Sequence, residues 1–145
     1  MKGILLMACV FLLKNTAFAQ SGIEGFYRGE VTQNNGGLAK KYYMDLSLRL
    51  DEDKRVAGES FFQMYKDNDV FVRFDVTGFS QSDRLILEEV NIQYQQVYSY
   101  AYFCYKKMVL RLFEQEGRQV LQGTWTSKNF AGSTGKVVLV KEVLF

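Results

Sequence analysis

Apolar and polar residues alternate with a period of two along most of the chain, a pattern that fits strands and no helix. In YYMDLSLRL, Tyr42, Met44, Leu46, Leu48 and Leu50 share one face, while Tyr43, Asp45, Ser47 and Arg49 share the other. VFVRFDVTG repeats this, with Val70, Val72, Phe74 and Val76 opposed by Phe71, Arg73, Asp75 and Thr77. KKMVLRLFE continues it through Met108, Leu110 and Leu112. Each segment reads as a strand with one buried face. Short polar clusters punctuate them: DEDK (51–54), KDND (66–69), SQSD (80–83) and EQEG (114–117). QNNGGLA (33–39) and SKNFAGS (127–133) are longer and carry glycine and asparagine, the residues of turns and loops. The reading is eight strands near 24–32, 40–50, 55–65, 70–78, 84–93, 105–114, 118–126 and 134–143. Proline, which would interrupt a ladder, is absent.

Eight consecutive strands with mostly tight connections predict an all-β fold, an eight-stranded antiparallel up-and-down meander that closes into a barrel and so removes its edges. An open sandwich is the alternative. A barrel of this size holds side chains or one small ligand. Successive connections of a meander alternate between its two ends. The long ones, 33–39, about 94–104 and 127–133, are the first, fifth and seventh, so all three fall on one end. The molecule should have one tight end and one elaborated rim, and elaborated loops on a rigid scaffold are where function sits.

The fifth connection carries YQQVYSYAYFCYKK (94–107), with five tyrosines and Cys104. If extended, it places Tyr98, Tyr100, Tyr102 and Cys104 on one face and lengthens the sixth strand upward. Tyr94, Tyr98, Tyr100 and Tyr102, with Phe130 of the seventh connection, are the candidate ligand-binding residues, since aromatic rings offer flat apolar area and tyrosine adds a polar tip. The competing reading is that these rings fill the barrel or its lid. Trp125 is read as core, on one face with Leu121 and Gly123.

The N-terminus has the form of an export signal. Lys2 precedes an apolar run of ten residues, Ile4 to Leu13, and Ala17-Phe18-Ala19 offers small residues where a signal peptidase reads. Cleavage after Ala19 divides the chain into a signal peptide, 1–19, and one domain, 20–145, destined for the periplasm or the exterior. LMAC (Leu6 to Cys9) is a rival lipobox-like site with a stunted apolar run. With the signal go Lys2 and Lys14, so the 18 Lys and Arg of the whole chain become 16, equal to its Asp and Glu. A neutral domain without a basic stripe gives no reason to expect nucleic acid. Cys104 is then the single cysteine, which excludes an internal disulfide and leaves a thiol that is either buried or open to pairing between molecules.

Several chemistries are excluded. The sequence contains no histidine, which removes Ser-His-Asp and Cys-His catalysis and histidine-ligated metal. GSTGK (Gly132 to Lys136) fails as a phosphate loop, because Phe130 stands where a glycine is required and Val137 where Ser or Thr is. Glu88 and Glu89 are adjacent, so on a strand they face opposite ways and cannot converge as a catalytic pair. Asp51/Asp53 and Asp67/Asp69 read as solvated turns, since Arg55 and Phe71 occupy the third ligand positions of a calcium loop. No enzyme activity, metal or cofactor is expected.

GFYRGE (Gly25 to Glu30) resembles the first-strand G-x-W signature of the calycins, the lipocalin-like and avidin-like barrels, with Tyr27 in the tryptophan position. LQGTW (Leu121 to Trp125) followed by GKVVLVKE resembles the closing hairpin of such barrels. The resemblance implies an up-and-down barrel and a small hydrophobic ligand. Three functional expectations follow: an exported, non-catalytic barrel binding a small hydrophobic or saccharide-like ligand at its aromatic rim; an envelope interaction or structural module; and an eight-stranded outer-membrane barrel, to which the terminal Phe145 would also be suited. The oligomeric state is left open.

Overall fold

The computed structural model describes residues 22–143. The expected signal segment 1–19, with Cys9, and the terminal Phe145 lie outside them. Eight strands follow in order: β1 (Gly25–Thr32), β2 (Lys41–Leu50), β3 (Val56–Met64), β4 (Asp67–Gln81), β5 (Arg84–Gln96), β6 (Lys106–Gln115), β7 (Arg118–Ser127) and β8 (Thr134–Lys141). Each pairs antiparallel with its sequence neighbour, and β1 pairs with β8 from Tyr27↔Lys141 to Val31↔Val137, closing the barrel. Closure sets aside the open sandwich.

The alternating faces point as the sequence requires. Met44, Leu46 and Leu48 of β2, Val72, Phe74 and Val76 of β4, and Met108 and Leu110 of β6 meet in one buried cluster inside the barrel. Ion pairs stand outside, with Arg28 Nε 2.9 Å from Asp45 and Arg73 Nη1 2.8 Å from Glu59. Four expectations are corrected in detail. The third connection is Tyr65-Lys66 alone, and Asp67, Asn68 and Asp69 begin β4. There the Asp69 N–H is satisfied by Asp67 Oδ1 at 3.1 Å, so turn-forming residues ride on an irregular strand end. β5 runs on to Gln96. β8 stops at Lys141. Finally, 97–105 is not an upward extension of β6, since the Ala101 N–H bonds back to the Tyr98 carbonyl at 3.0 Å and turns the segment inside the fifth connection.

β5 carries the feature that shapes the upper barrel. Against β4, Val76 faces Glu89 but Asp75 faces Asn91, and Phe74 faces Ile92 but Arg73 faces Tyr94, so Val90 and Gln93 are each an extra residue. Bulges bend a strand and sharpen its twist. β5 stays paired with β4 along this stretch, yet its pairing with β6 runs only from Arg84↔Arg111 to Glu88↔Lys107. Above Glu88 the two strands part.

The other end is sealed. Connections 51–55, 82–83 and 116–117 are short, the last with left-handed φ at both Glu116 (53°) and Gly117 (77°), the backbone of a tight hairpin. Gly22 and Ile23 tuck beneath the barrel. The Tyr27 hydroxyl, wholly buried, donates to the Ile23 carbonyl at 2.7 Å, and Lys141 Nζ donates to the Gly22 carbonyl at 3.1 Å.

Candidate functional site

At the open end the first, fifth and seventh connections surround a cavity of about 350 Å³. Its deep wall is buried side chain: Val31, Phe62, Trp125 and Lys106, none more than 6% exposed. Its middle is Tyr42, Phe103 and Cys104, partly buried against the core. Its mouth is Leu38, Tyr100, Tyr102 and Phe130, with Gln33 and Ser133 as polar rim. Tyr100 and Tyr102 are 76% and 67% exposed, so the gradient from core to solvent runs along the cavity.

Local chemistry fixes these walls. Trp125 is held by its indole N–H, which donates to the Thr32 carbonyl at 2.8 Å and ties β7 to the end of β1. The seventh connection is organised by Ser127, whose hydroxyl accepts the Phe130 N–H at 2.9 Å. It is locked to the fifth through Lys128 N–H to the Tyr105 carbonyl (2.8 Å) and Tyr105 N–H to Asn129 Oδ1 (3.1 Å). Rings join the two loops, with Tyr102 and Phe130 centroids 5.0 Å apart, while Phe103 meets Tyr42 edge-on at 6.4 Å.

Of the five expected ligand-binding residues, the structure brings Tyr100, Tyr102 and Phe130 together around the mouth. Tyr98 stands behind the wall, stacked on Tyr100 at 5.6 Å, its hydroxyl bonded to Asp67. That bond, made to the neutral phenol, pushes the Tyr98 hydroxyl above its ordinary value. Tyr94 is on the outer face of β5, where its hydroxyl accepts from Arg73 Nε at 2.8 Å and its ring meets Phe71. Cys104 is half-buried in the cavity wall, and Trp125 is core and cavity wall at once.

Three polar residues are buried on the inner face: Ser60 and Lys106, which the sequence reading passes over, and Glu89, which it weighs only as the neighbour of Glu88. Glu89 is completely buried. Its Oε1 accepts the Lys106 backbone N–H at 2.7 Å, its Oε2 accepts the Ser60 hydroxyl at 3.0 Å, and Lys106 Nζ is 3.5 Å from Oε1. The Glu89 carbonyl accepts from Lys128 Nζ at 3.1 Å. The carboxylate thus takes the N–H that a β5 carbonyl would have taken had the strands not parted. Burial pushes the Glu89 carboxyl above the usual glutamate range despite these donors. The Lys106 ammonium sits among rings, 4.1 Å from the centre of Phe62, 5.3 Å from Phe74 and 5.6 Å from Trp125. Parity held the signal: Glu89 continues the Leu85, Leu87 face, and Lys106 precedes Met108 and Leu110. Glu88, as its position next to Glu89 requires, lies on the other face, 3.8 Å from Lys128.

Among the described residues no group of three or more His, Cys, Asp or Glu is disposed to hold a metal ion. The arrangement can hold a small, mostly apolar molecule against one buried cation. Comparison with family models, with curated proteins and with solved structures finds no match to this chain.

Proposed function

We propose that the protein is an exported, non-catalytic carrier of the calycin kind, which takes a small hydrophobic ligand into the open end of its barrel. The observation that carries this reading is the cavity itself, about 350 Å³, continuous with the core and ringed by aromatic loops. That volume lies at the lower end of the range for small-molecule sites. Tyr100, Tyr102 and Phe130 are its mouth and Trp125 its depth. The outer surface supports the carrier over a membrane-spanning barrel. Such a barrel needs an apolar band outside and tolerates polarity within. Here Arg28, Asp45, Glu59, Arg73, Lys107 and Lys136 stand on the outer faces of strands whose inner faces are Leu, Val, Met and Phe.

A second reading has its own observation. Phe61, Phe71 and Tyr94 form a chain of rings on the outside of β3, β4 and β5, with the Arg73 guanidinium 5.5 Å from Phe61 and 5.6 Å from Tyr94. Tyr94 is exposed and Phe61 and Phe71 are half-buried, and aromatic rings beside an arginine are what protein interfaces favour. Native mass spectrometry of the protein purified without detergent separates the two. A releasable small molecule on the monomer supports the carrier. An empty dimer that Tyr94→Ser dissociates supports the interface and overturns the carrier.

A further inference from the structure

Packing alone does not call for a lysine at position 106. A buried ion pair is commonly matched or bettered by apolar packing of the same volume, and the barrel around it is apolar. Nor is it a well-made pair. Glu89 spends its short hydrogen bonds on the Lys106 backbone N–H (2.7 Å) and the Ser60 hydroxyl (3.0 Å). Among the described residues, Lys106 Nζ donates to Glu89 Oε1 at 3.5 Å and to the Cys104 carbonyl at 3.4 Å. Charge-assisted N–H···O bonds are ordinarily about 2.7–2.9 Å. An ammonium has three donors, and among the described residues none has an acceptor closer than 3.4 Å. Phe62, Phe74 and Trp125 hold the cation by their faces, which fixes it without using its hydrogens. Lys106 also lines the cavity, at the deep end of a wall otherwise built of Val31, Phe62 and Trp125.

We infer that Lys106 anchors the acidic head of the ligand: the cavity takes a carboxylate-headed amphiphile head first, with its apolar tail running out past Phe103 to Tyr100, Tyr102 and Phe130. The inference rests on the carrier reading above and deepens it by naming the ligand class. At about 30 Å³ for each non-hydrogen atom, the cavity volume of about 350 Å³ takes roughly a dozen atoms, the size of a ten-carbon acid. Burial raises the Glu89 carboxyl, which weakens its claim on the ammonium and leaves that charge to an entering anion.

The test uses three probes of one length, decanoate, decanol and decylammonium, titrated into the protein and followed by calorimetry and by the fluorescence of Trp125, the chain's single tryptophan. Decanoate is expected to bind at least about tenfold tighter than decanol, the effect of one good charged hydrogen bond. Decylammonium should bind most weakly. In the neutral pair Glu89→Gln with Lys106→Met, which strands no charge, the ratio of decanoate to decanol affinity should fall to about one, whatever the change in the shared apolar part of binding. Lys106→Arg should retain it. Equal binding of decanoate and decanol by the unaltered protein overturns the acidic head while leaving a hydrophobic carrier. Preference for decylammonium overturns it in favour of Glu89 as the anchor. Failure of all three to bind overturns the carrier reading and this inference with it.

Discussion

The Ser60 hydroxyl donates to Glu89 Oε2 over 3.0 Å inside the barrel, joining β3 to β5 past the intervening β4. The bond matters because Glu89 is fully buried where β5 leaves β6, and its carboxyl carries that seam one residue further by accepting the Lys106 N–H. Three donors hold one side chain there, and burial still dominates its protonation.

That dominance predicts a pH dependence. The folded-state value of Glu89 lies above the reference value of 4.5, so over the window above 4.5 the folded protein binds a proton that the unfolded chain has lost. The contribution is fully present below pH 4.5 and is lost as pH rises through the folded value. Each unit of elevation corresponds to about 1.4 kcal/mol. Urea unfolding from pH 4 to pH 8 should show the unaltered protein losing stability, relative to Glu89→Gln, as pH rises. A difference that grows the other way would mean that the Lys106 charge outweighs burial.

The sealed end gives a second prediction. The Tyr27 hydroxyl donates to the Ile23 carbonyl at 2.7 Å and lies 3.1 Å from that of Gly22, holding 22–23 under the barrel. Tyr27→Phe keeps the ring and strands a buried carbonyl, a loss of about 1–3 kcal/mol. Chemical denaturation should show that loss. Binding at the far end of the barrel should be unchanged.

Gly135 gives a third. A Cβ built there would overlap the Thr32 carbonyl and the Trp125 indole nitrogen, the two partners of the bond that ties β7 to β1. Gly135→Ala must therefore displace Trp125 or part the strands, and overpacking of this kind costs about 1–3 kcal/mol. The tryptophan emission should shift to the red as the indole meets water, and thermal stability should fall. An unchanged spectrum would show that the barrel seam absorbs the methyl group elsewhere.

Most of the architecture was legible because one period governs it. The Leu46, Leu48 face of β2 and the Val72, Phe74 face of β4 admit only one orientation toward a core, and short polar clusters leave the chain no choice but to turn. Connection parity placed the aromatic loops at one end. What was not legible follows from departures from the period. Two extra residues in β5, Val90 and Gln93, part it from β6, and no local signal distinguishes an extra residue from a regular one. That parting gives Glu89 its role and lets 97–105 fold as an inturned loop. Parity of an extended segment sets Tyr98 on one face with Tyr100 and Tyr102, and Tyr94 opens the same segment, yet the loop's turn and the outward face of β5 separate them.

This separation supplies the last prediction, which tests the mouth against its surroundings. Tyr100 and Tyr102 border the cavity, whereas Tyr94 packs on Phe71 outside the barrel. If aromatic contact at the mouth holds a ligand's tail, the pair Tyr100→Ser with Tyr102→Ser removes two rings from the mouth of a preformed site. Loss of about 1–3 kcal/mol would be expected from such apolar area, roughly ten- to a hundredfold in Kd. Both residues are largely solvent-exposed, so the unfolding midpoint should hardly move. Tyr94→Ser should do the reverse, leaving Kd for decanoate unchanged while removing an acceptor from Arg73. Should Tyr94→Ser weaken binding as much as the mouth pair does, the ligand lies on the outer aromatic surface, and the cavity is no more than a dimple above the core.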